Sequence, residues 1–475
     1  MCSFNVMVYV AITFNIGIHW QKYKISSKGK HDFFFHIPKN LNFAKIFDME
    51  AVERKQIIDL IKNEVVPAIG CTEPVAVALA VAKAKETLGS VPERIEVLLS
   101  DNVLKNAMGV GIPGTGMIGL PISIALGALI GKSEYGLEVL KDVNAESIEK
   151  GKQMIDAKQI SIKRKTGITE KLYIEAICYA GADSAKAVIA CGHTNFVLIS
   201  RNNDVIFEKK ISSAECKDSG TLQLSMRKVF DFATTAPIDE ISFILEAGKM
   251  NMSIAEESFN NNFGHTLGKM LHGHQHDALF GNGIFKDIVS YTSAACDARM
   301  AGCPSPVMSN SGSGNQGIAT TVPVCIYARD TKQPEEKLIR ALILSNLTSI
   351  YIKQSLGRLS ALCGCVVAST GSSCGITYLM GGSYEQVCYS VKNMIANITG
   401  MICDGAKPSC SLKIATGISS AAFSSMLAME NHCVSCVEGI IDDDVDACIR
   451  NLTVIGTSGM NETDHYVLDI MTSKK

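Results

Sequence analysis

Three cysteines in the C-terminal half of the chain lie in glycine-rich, turn-like contexts. Cys363 lies in Leu-Cys-Gly-Cys, Cys403 in Ile-Cys-Asp-Gly-Ala-Lys and Cys410 in Pro-Ser-Cys-Ser-Leu-Lys. Three thiolates that converge on a [4Fe–4S] cluster would leave one iron open to substrate. Because an open iron acts as a Lewis acid, the pattern indicates lyase chemistry. The other interpretation is that all three are buried thiols of a helical core.

Other cysteines compete for the ligand role. Cys365 is so close to Cys363 that it could replace it as a ligand. Cys433 and Cys436 have the spacing of a redox or zinc motif. A single pair does not complete a zinc site, so we rank these two as weak competitors.

Cys71 directly precedes Thr72, Glu73 and Pro74 at the start of a predicted helix. The positive end of a helix dipole lowers the pKa of a thiol, so this position favours a thiolate that could remove a proton. A cysteine that merely packs between two helices is an equally good interpretation. Thr72 and Glu73 are candidates for substrate binding or for helix capping.

Residues 309–317, Ser-Asn-Ser-Gly-Ser-Gly-Asn-Gln-Gly, form a second candidate binding element. Consecutive backbone N–H groups ahead of the helix predicted over 318–327 suit a carboxylate or a phosphate. Asn315 and Gln316 add side-chain donors. The loop lacks the lysine of a nucleotide P-loop, so we favour a substrate carboxylate, with a plain turn as the alternative.

Composition restricts the possible partners. The 475 residues carry a net charge of −2, and 19% are charged against 47% hydrophobic. Without a basic excess, neither nucleic acid nor a membrane surface is an expected partner. Small molecules and copies of the same chain are the expected partners, and we expect a homo-oligomer. There are 17 cysteines and no convincing export signal, which favours free or metal-bound thiols in the cytoplasm over a disulfide framework.

The elements that must position these residues follow from hydrophobic periodicity. Helical spacing runs over 50–66 and 74–87, a strand is predicted over 92–99, and the period changes to two between 160 and 210. Strands over 171–180, 184–190, 195–200 and 205–210 predict an antiparallel meander. Helical periodicity returns at about 221. The fold class is α+β, with a predominantly helical catalytic core and a smaller antiparallel β-containing region.

This pattern divides the chain into four parts. Residues 1–48 are interpreted as a disordered or spurious N-terminal extension, with a membrane anchor as a minor alternative, because they lack a basic start and a cleavage pattern. Residues 49–89 are a helical segment of the catalytic core, 90–220 a smaller α+β region, and 221–475 the helical iron–sulfur region.

Four segments together resemble one protein family. They are residues 67–74 (Pro-Ala-Ile-Gly-Cys-Thr-Glu-Pro), 313–317 (Ser-Gly-Asn-Gln-Gly), 359–364 (Leu-Ser-Ala-Leu-Cys-Gly) and 403–410 (Cys-Asp-Gly-Ala-Lys-Pro-Ser-Cys). In this order they resemble the L-cysteine desulfidase family, which is related to the α-chain of iron–sulfur-dependent L-serine dehydratases. The resemblance runs from about residue 49 to the C-terminus.

The resemblance implies an oxygen-sensitive [4Fe–4S] enzyme that eliminates the β-substituent of a small amino acid without pyridoxal phosphate. By motif, Cys363, Cys403 and Cys410 match the cluster ligands, and Cys71 matches a cysteine that acts as base or as an additional ligand. Asn315, Gln316, Thr72 and Glu73 are expected to bind substrate.

L-cysteine desulfidase, which releases sulfide, ammonia and pyruvate, is the leading function. L-serine dehydratase is the nearest alternative. A non-catalytic iron–sulfur redox sensor is the alternative of another class.

Overall fold

The computed structural model describes residues 51–202, 204–210, 222–357 and 359–474. These residues belong to one compact unit. The N-terminal extension predicted over 1–48 lies outside the described residues, and the division of the rest at residues 90 and 220 stays a prediction.

Helices account for most of the described chain, as predicted. In chain order they are α1 (Ala51–Glu64), α2 (Thr72–Leu88), α3 (Asp101–Ala107), α4 (Leu120–Leu129), α5 (Ala145–Asp156), α6 (Met226–Thr235), α7 (Ile238–Ile241), α8 (Leu245–Asn260), α9 (Leu267–His272), α10 (Asp277–Phe280), α11 (Ile284–Met300), α12 (Gly314–Asp330), α13 (Glu335–Leu356), α14 (Gly364–Leu379), α15 (Tyr384–Ile398), α16 (Cys410–Met429), α17 (Val445–Val454) and α18 (Asn461–Ser473).

The strands form two sheets. They are β1 (Pro67–Ala68), β2 (Arg94–Leu99), β3 (Ile160–Arg164), β4 (Tyr173–Ala180), β5 (Asp183–Ala190), β6 (Phe196–Arg201), β7 (Asp204–Glu208) and β8 (Val307–Met308). The short strands β1 and β8 pair antiparallel, and the other six form one sheet in the order β3-β2-β4-β5-β6-β7. The α+β fold class is therefore confirmed.

The predicted meander is confirmed as β4 to β7, whose neighbouring strands all pair antiparallel. The sheet is nevertheless mixed, because β3 pairs with β2 in parallel. We did not predict β3. It follows α5 directly, and although Ile160 and Ile162 alternate with polar residues, the strand has only five residues, all half-buried or exposed.

Helix α2 covers one face of the large sheet at β4 and β5. The buried side chains of β4 facing this core alternate along the strand, at Ile174, Ala176 and Cys178. Alternation with a period of two is what a strand with one buried face requires. This packing fixes α2, and therefore Cys71 at its start, relative to the sheet.

The larger core is made of helices α11 to α16, which approach one another through small residues. A Cβ at Gly371 of α14 would lie 2.3 Å from the backbone oxygen of Ser345 in α13. Such close backbone contact accompanies burial on nearly all sides of α14 and explains why this helix shows no strong amphipathic pattern.

Helix α16 is long and apolar enough to span a membrane by length and composition alone. It packs against α11, α14 and α15, and 44% of its most apolar window is buried. A core helix of a globular protein has the same composition, and these contacts favour that interpretation.

Candidate functional site

One pocket brings together every residue that the sequence analysis predicted for the site. Its walls include Cys71, Thr72, Glu73, Asn315, Gln316, Cys363, Cys403 and Cys410. The empty space, including its open mouth, is about 850 Å³. These residues come from four segments far apart in sequence, so the fold gathers them into one place.

Four helices begin at this pocket. Cys71 is the N-cap of α2, Ser313 the N-cap of α12, Cys363 the N-cap of α14, and Cys410 the first residue of α16. The N-terminus of each helix carries a partial positive charge. Each of these four N-termini therefore contributes favourably to the binding of an anion in the pocket.

Backbone pairing places two of the predicted ligands side by side. Leu362 and Ile402 form an antiparallel β-bridge. The N–H of Cys403 donates to the carbonyl of Ala361 at 2.6 Å, and the N–H of Cys363 donates to the carbonyl of Met401 at 3.0 Å. The segments that carry Cys363 and Cys403 are thus held in a fixed register.

Cys410 reaches the same region from the first turn of α16. Its Sγ lies 3.7 Å from the carbonyl oxygen of Gly405, in the loop that follows Cys403. Negative charge on Cys403 or Cys410 would raise the pKa of the nearby Cys363 thiol.

Cys365 also borders the pocket, but its thiol is engaged between two helices. Its Sγ donates to the carbonyl of Lys413 at 3.1 Å. A Cβ on Gly417 of α16 would lie 2.6 Å from the same sulfur. This geometry favours Cys363 over Cys365 as the ligand.

Cys433 and Cys436 lie in the loop between α16 and α17. Neither residue lines the pocket. Cys433 is half-buried and Cys436 is exposed. The placement leaves this pair outside the candidate site.

The lowered pKa predicted for Cys71 is wrong. Burial raises the pKa of its thiol to about 12, although the neighbouring Arg299 guanidinium lowers it in part. Burial also raises the pKa of Cys363 well above its usual value, and raises that of Cys410. The cost of a buried negative charge is greater than the stabilisation from a helix N-terminus.

Raised pKa values are compatible with metal binding. A thiol that coordinates a metal gives up its proton as it binds. Among the described residues, no three His, Cys, Asp or Glu side chains are arranged to hold a single metal ion. The cysteines of an iron–sulfur cluster ligate different irons and need not meet at one point. The thiols of Cys363, Cys403 and Cys410 therefore fit such a cluster by their donor chemistry.

Glu73 is the carboxylate that lines the described pocket. Its Oε1 accepts a hydrogen bond from Asn106 Nδ2 at 3.1 Å, and its Oε2 accepts one from Thr72 Oγ1 at 3.1 Å. Thr72 Oγ1 also lies 3.0 Å from the carbonyl of Gly312. The Oδ1 of Asn106 is buried without a partner in the described structure. Carboxylate and amide oxygens together suit an ammonium group.

The loop over 309–317 is more fully bonded than predicted. The backbone N–H groups of six of its residues already donate to the protein, namely Ser309, Asn310, Ser311, Ser313, Gln316 and Gly317. The following helix also begins earlier than predicted, at Gly314. The loop is therefore a rigid support more than a set of free donors.

The two amides after this loop have different environments. Asn315 Oδ1 accepts from Arg299 Nη1 at 3.0 Å, and Asn315 Nδ2 lies 3.3 Å from the sulfur of Met300. Gln316 is 4% exposed and its Oε1 has no partner among the described residues. Gln316 is thus the amide available to a ligand, whereas Asn315 holds Arg299.

Sequence reasoning missed several polar residues of the pocket. They are Asn106, His193, Arg299, Lys353, Ser360 and Lys413. His193 lies in the turn between β5 and β6, which showed only a hairpin signal. Arg299 lies near the end of a long helix, where nothing in the local pattern marks it. Ser360 and Lys413 lie in the quoted cysteine segments, whereas only the tertiary fold brings Asn106, His193 and Arg299 to the cysteines.

Comparison with known proteins places the chain in a family. Residues 134–469 match the serine dehydratase alpha chain family. A UPF0597 protein of Bacteroides fragilis is 65% identical over 90% of this chain and 100% of its own length. UPF0597 proteins of Porphyromonas gingivalis and Oleidesulfovibrio alaskensis are 53% and 46% identical, over 90% and 89% of this chain and 100% and 99% of their own lengths. The chain therefore belongs to the serine dehydratase alpha chain family, whose name denotes a lyase-type enzyme.

Proposed function

We propose that this protein is a β-eliminating lyase that converts L-cysteine to sulfide, ammonia and pyruvate. The observation that carries the proposal is the convergence of Cys363, Cys403 and Cys410 with Cys71 and Glu73 in one pocket. This convergence supports the proposal because candidate cluster ligands and polar groups suited to an amino acid line the same pocket.

Cys363, Cys403 and Cys410 would hold a [4Fe–4S] cluster, with one iron left without a protein ligand. When bound, such a cluster supplies Lewis acidity for the departing β-substituent. Pyridoxal phosphate is not part of the proposal. The partial positive charges of α14 and α16 at Cys363 and Cys410 stabilise the thiolates once their protons have left.

The substrate's ammonium group is assigned to Glu73 and Asn106. The Glu73 carboxylate is oriented by two hydrogen bonds within the protein. The free Oδ1 of Asn106 can accept a hydrogen bond from the ammonium group. Gln316 contributes a polar side chain on the other wall. Fixing the substrate at several points reduces the entropic part of the barrier.

Cys71 is assigned to the α-proton of the substrate. The buried thiol is protonated. It must therefore lose its own proton before it can accept the α-proton of the substrate. The Arg299 guanidinium and the start of α2 both favour the thiolate. A role for Cys71 as an additional cluster ligand is the alternative, and it is equally compatible with a thiol that loses its proton on binding.

The reaction would release the β-substituent and leave aminoacrylate, which hydrolyses to pyruvate and ammonia. A thiol is a soft ligand and suits iron better than a hydroxyl does, which favours L-cysteine. The family description favours L-serine as the alternative substrate. Fourteen described cysteines have free thiols, which suits the cytoplasm, whereas Cys191 is disulfide-bonded. We retain a homo-oligomer as part of the proposal.

The test is turnover by the anaerobically purified protein, with pyruvate and sulfide measured for L-cysteine and pyruvate for L-serine. We expect higher kcat/KM for L-cysteine. A large preference for serine would make the protein an L-serine dehydratase. A protein with a cluster but without turnover of either amino acid would be a redox sensor.

The variant Cys71→Ser distinguishes a lyase from a redox sensor. In the lyase it should retain the cluster absorbance and lose most of its activity. In a sensor it should change neither the cluster nor the response to oxidation.

A further inference from the structure

Arg299 is a buried cation at the wall of the pocket. It lies in the last turn of α11 and is 4% exposed. Its Nη1 donates to Asn315 Oδ1 at 3.0 Å, and its Nη2 donates to the carbonyl of Gly70 at 3.0 Å. Both of these partners are neutral oxygens and supply no counter-charge, and the Cys71 thiol is a further neighbour of the guanidinium.

Within the described residues, no Asp or Glu forms an ion pair with Arg299. The pocket's carboxylate, Glu73, is bonded to Thr72 and Asn106 instead. Asp297, two residues before Arg299, accepts from the N–H of Gly268 at 3.0 Å. The Nε of Arg299 is buried without a partner in the described structure. A buried charge without a counter-ion is costly, so this arrangement favours an anionic ligand.

A second positive feature lies against the same side chain. A Cβ added to Gly314, the first residue of α12, would lie 2.2 Å from Arg299 Nε. The guanidinium is therefore packed directly on the N-terminal turn of a 17-residue helix. The partial positive charge of that turn adds to the charge of Arg299. Both features favour a bound anion at this position.

The other pocket groups indicate which anion it is. Glu73 and Asn106 present oxygens suited to an ammonium group, whereas Arg299 presents a planar donor group suited to a carboxylate. A small molecule that carries both groups on one carbon is an α-amino acid. We propose that Arg299 is the receptor for the α-carboxylate of the substrate and that Asn315 positions its guanidinium.

This inference deepens the proposed function and rests on it for the nature of the ligand. It also revises the sequence-based hypothesis, in which Asn315 and the N–H groups of the loop bind the carboxylate. In the structure Asn315 acts through Arg299, since its Oδ1 is occupied by the guanidinium.

The test compares binding of L-alanine and ethylamine to the anaerobic, cluster-containing protein by isothermal titration calorimetry. L-alanine has no β-substituent to eliminate, and ethylamine is the same molecule without the carboxylate. We expect the wild type to bind L-alanine more tightly. In Arg299→Gln, we expect L-alanine to bind at least about tenfold more weakly, because a charge-assisted bidentate contact is lost, while ethylamine is unaffected.

Two further variants keep the test decisive. Arg299→Lys retains the charge without the planar guanidinium and should bind L-alanine more weakly than the wild type does. This variant keeps the inference testable if Arg299→Gln fails to fold. Arg450→Gln, which changes an exposed arginine of α17, should leave L-alanine binding unchanged.

Equal L-alanine affinity in the wild type and both Arg299 variants would overturn the inference, as would a wild type without preference for L-alanine over ethylamine. Failure of the proposed function, β-elimination, would give a different result. In that case Arg299-dependent binding of L-alanine would persist without turnover of L-cysteine or L-serine.

Discussion

The C-terminal helix α18 is held to the pocket region by one buried ion pair, which allows a quantitative prediction. Lys105 of α3 is 1% exposed, and its Nζ lies 2.5 Å from Oδ1 of Asp464 in α18, which is 12% exposed. Asn102 Nδ2 donates to the other carboxylate oxygen at 3.1 Å. The next residue after Lys105 is Asn106, which bonds Glu73 in the pocket. We predict that Asp464→Ala destabilises the fold.

The expected magnitude follows from the burial of Lys105. Removing one partner of a buried ion pair costs about 3–5 kcal/mol, because the remaining charge is left without compensation. Since Asp464 is partly exposed, water can reach the vacated position, and we expect a loss near the lower end, about 3 kcal/mol. The double variant Lys105→Met/Asp464→Leu should recover most of this loss, because neither charge remains.

Urea-induced unfolding followed by far-UV circular dichroism measures the effect. The matched control is Glu146→Ala, which breaks an exposed ion pair with Lys150 and should destabilise the fold far less, because solvent screens the pair. A change for Asp464→Ala no greater than that of the control would refute the reasoning that this pair is desolvated. So would a double variant that is less stable than Asp464→Ala.

Three further predictions concern packing, pH and thiol reactivity. Gly417→Ala would place a methyl group within 2.6 Å of two side chains of α14 and should lower the unfolding free energy by about 1–3 kcal/mol; Gly400→Ala, where nothing lies within 4 Å, is the control in the same urea titration. The carboxyl of Glu175 is desolvated, which raises its pKa, but hydrogen bonds from two lysines and a tyrosine lower it overall from 4.5. Its folded pKa thus lies below its unfolded value, so its stabilisation is present above pH 4.5 and is lost as the pH falls through the folded pKa. Thermal unfolding of Glu175→Gln should depend less steeply on pH in this acidic range, and an unchanged slope would contradict the prediction. In cluster-free protein, iodoacetamide at pH 8 should label exposed Cys436 before Cys71, whose pKa is about 12; peptide mass spectrometry that finds Cys71 labelled first would contradict its burial.

Local periodicity was sufficient to predict the elements that carry their own signal. The meander over 171–210 was predicted because one face of the sheet is buried, so its strands alternate between apolar and polar residues. Helix α2 was predicted from Pro74 onwards, two residues after its observed start. Strand β3 was missed because it is short and poorly buried, and because it pairs with a strand about 65 residues away.

The site could be predicted only where its residues lie in recognisable segments. The cysteines and the loop over 309–317 have such segments, and the fold gathers them in one pocket. The charge state of Cys71 was predicted wrongly, because the helix dipole is visible in the sequence whereas complete burial is not. Arg299 and His193 could not be found from sequence, since each reaches the pocket only through tertiary packing.

The central claim is that the pocket containing Cys363, Cys403 and Cys410 binds the cluster and performs the elimination. The most direct test measures iron content, the visible absorbance of the cluster and L-cysteine turnover in the same anaerobic preparations. Serine variants of these three cysteines should each lose iron, absorbance and sulfide release. Cys436→Ser should retain all three, because Cys436 is exposed and lies outside the pocket. Retention of cluster and turnover in the three pocket variants, with loss in Cys436→Ser, would contradict the account.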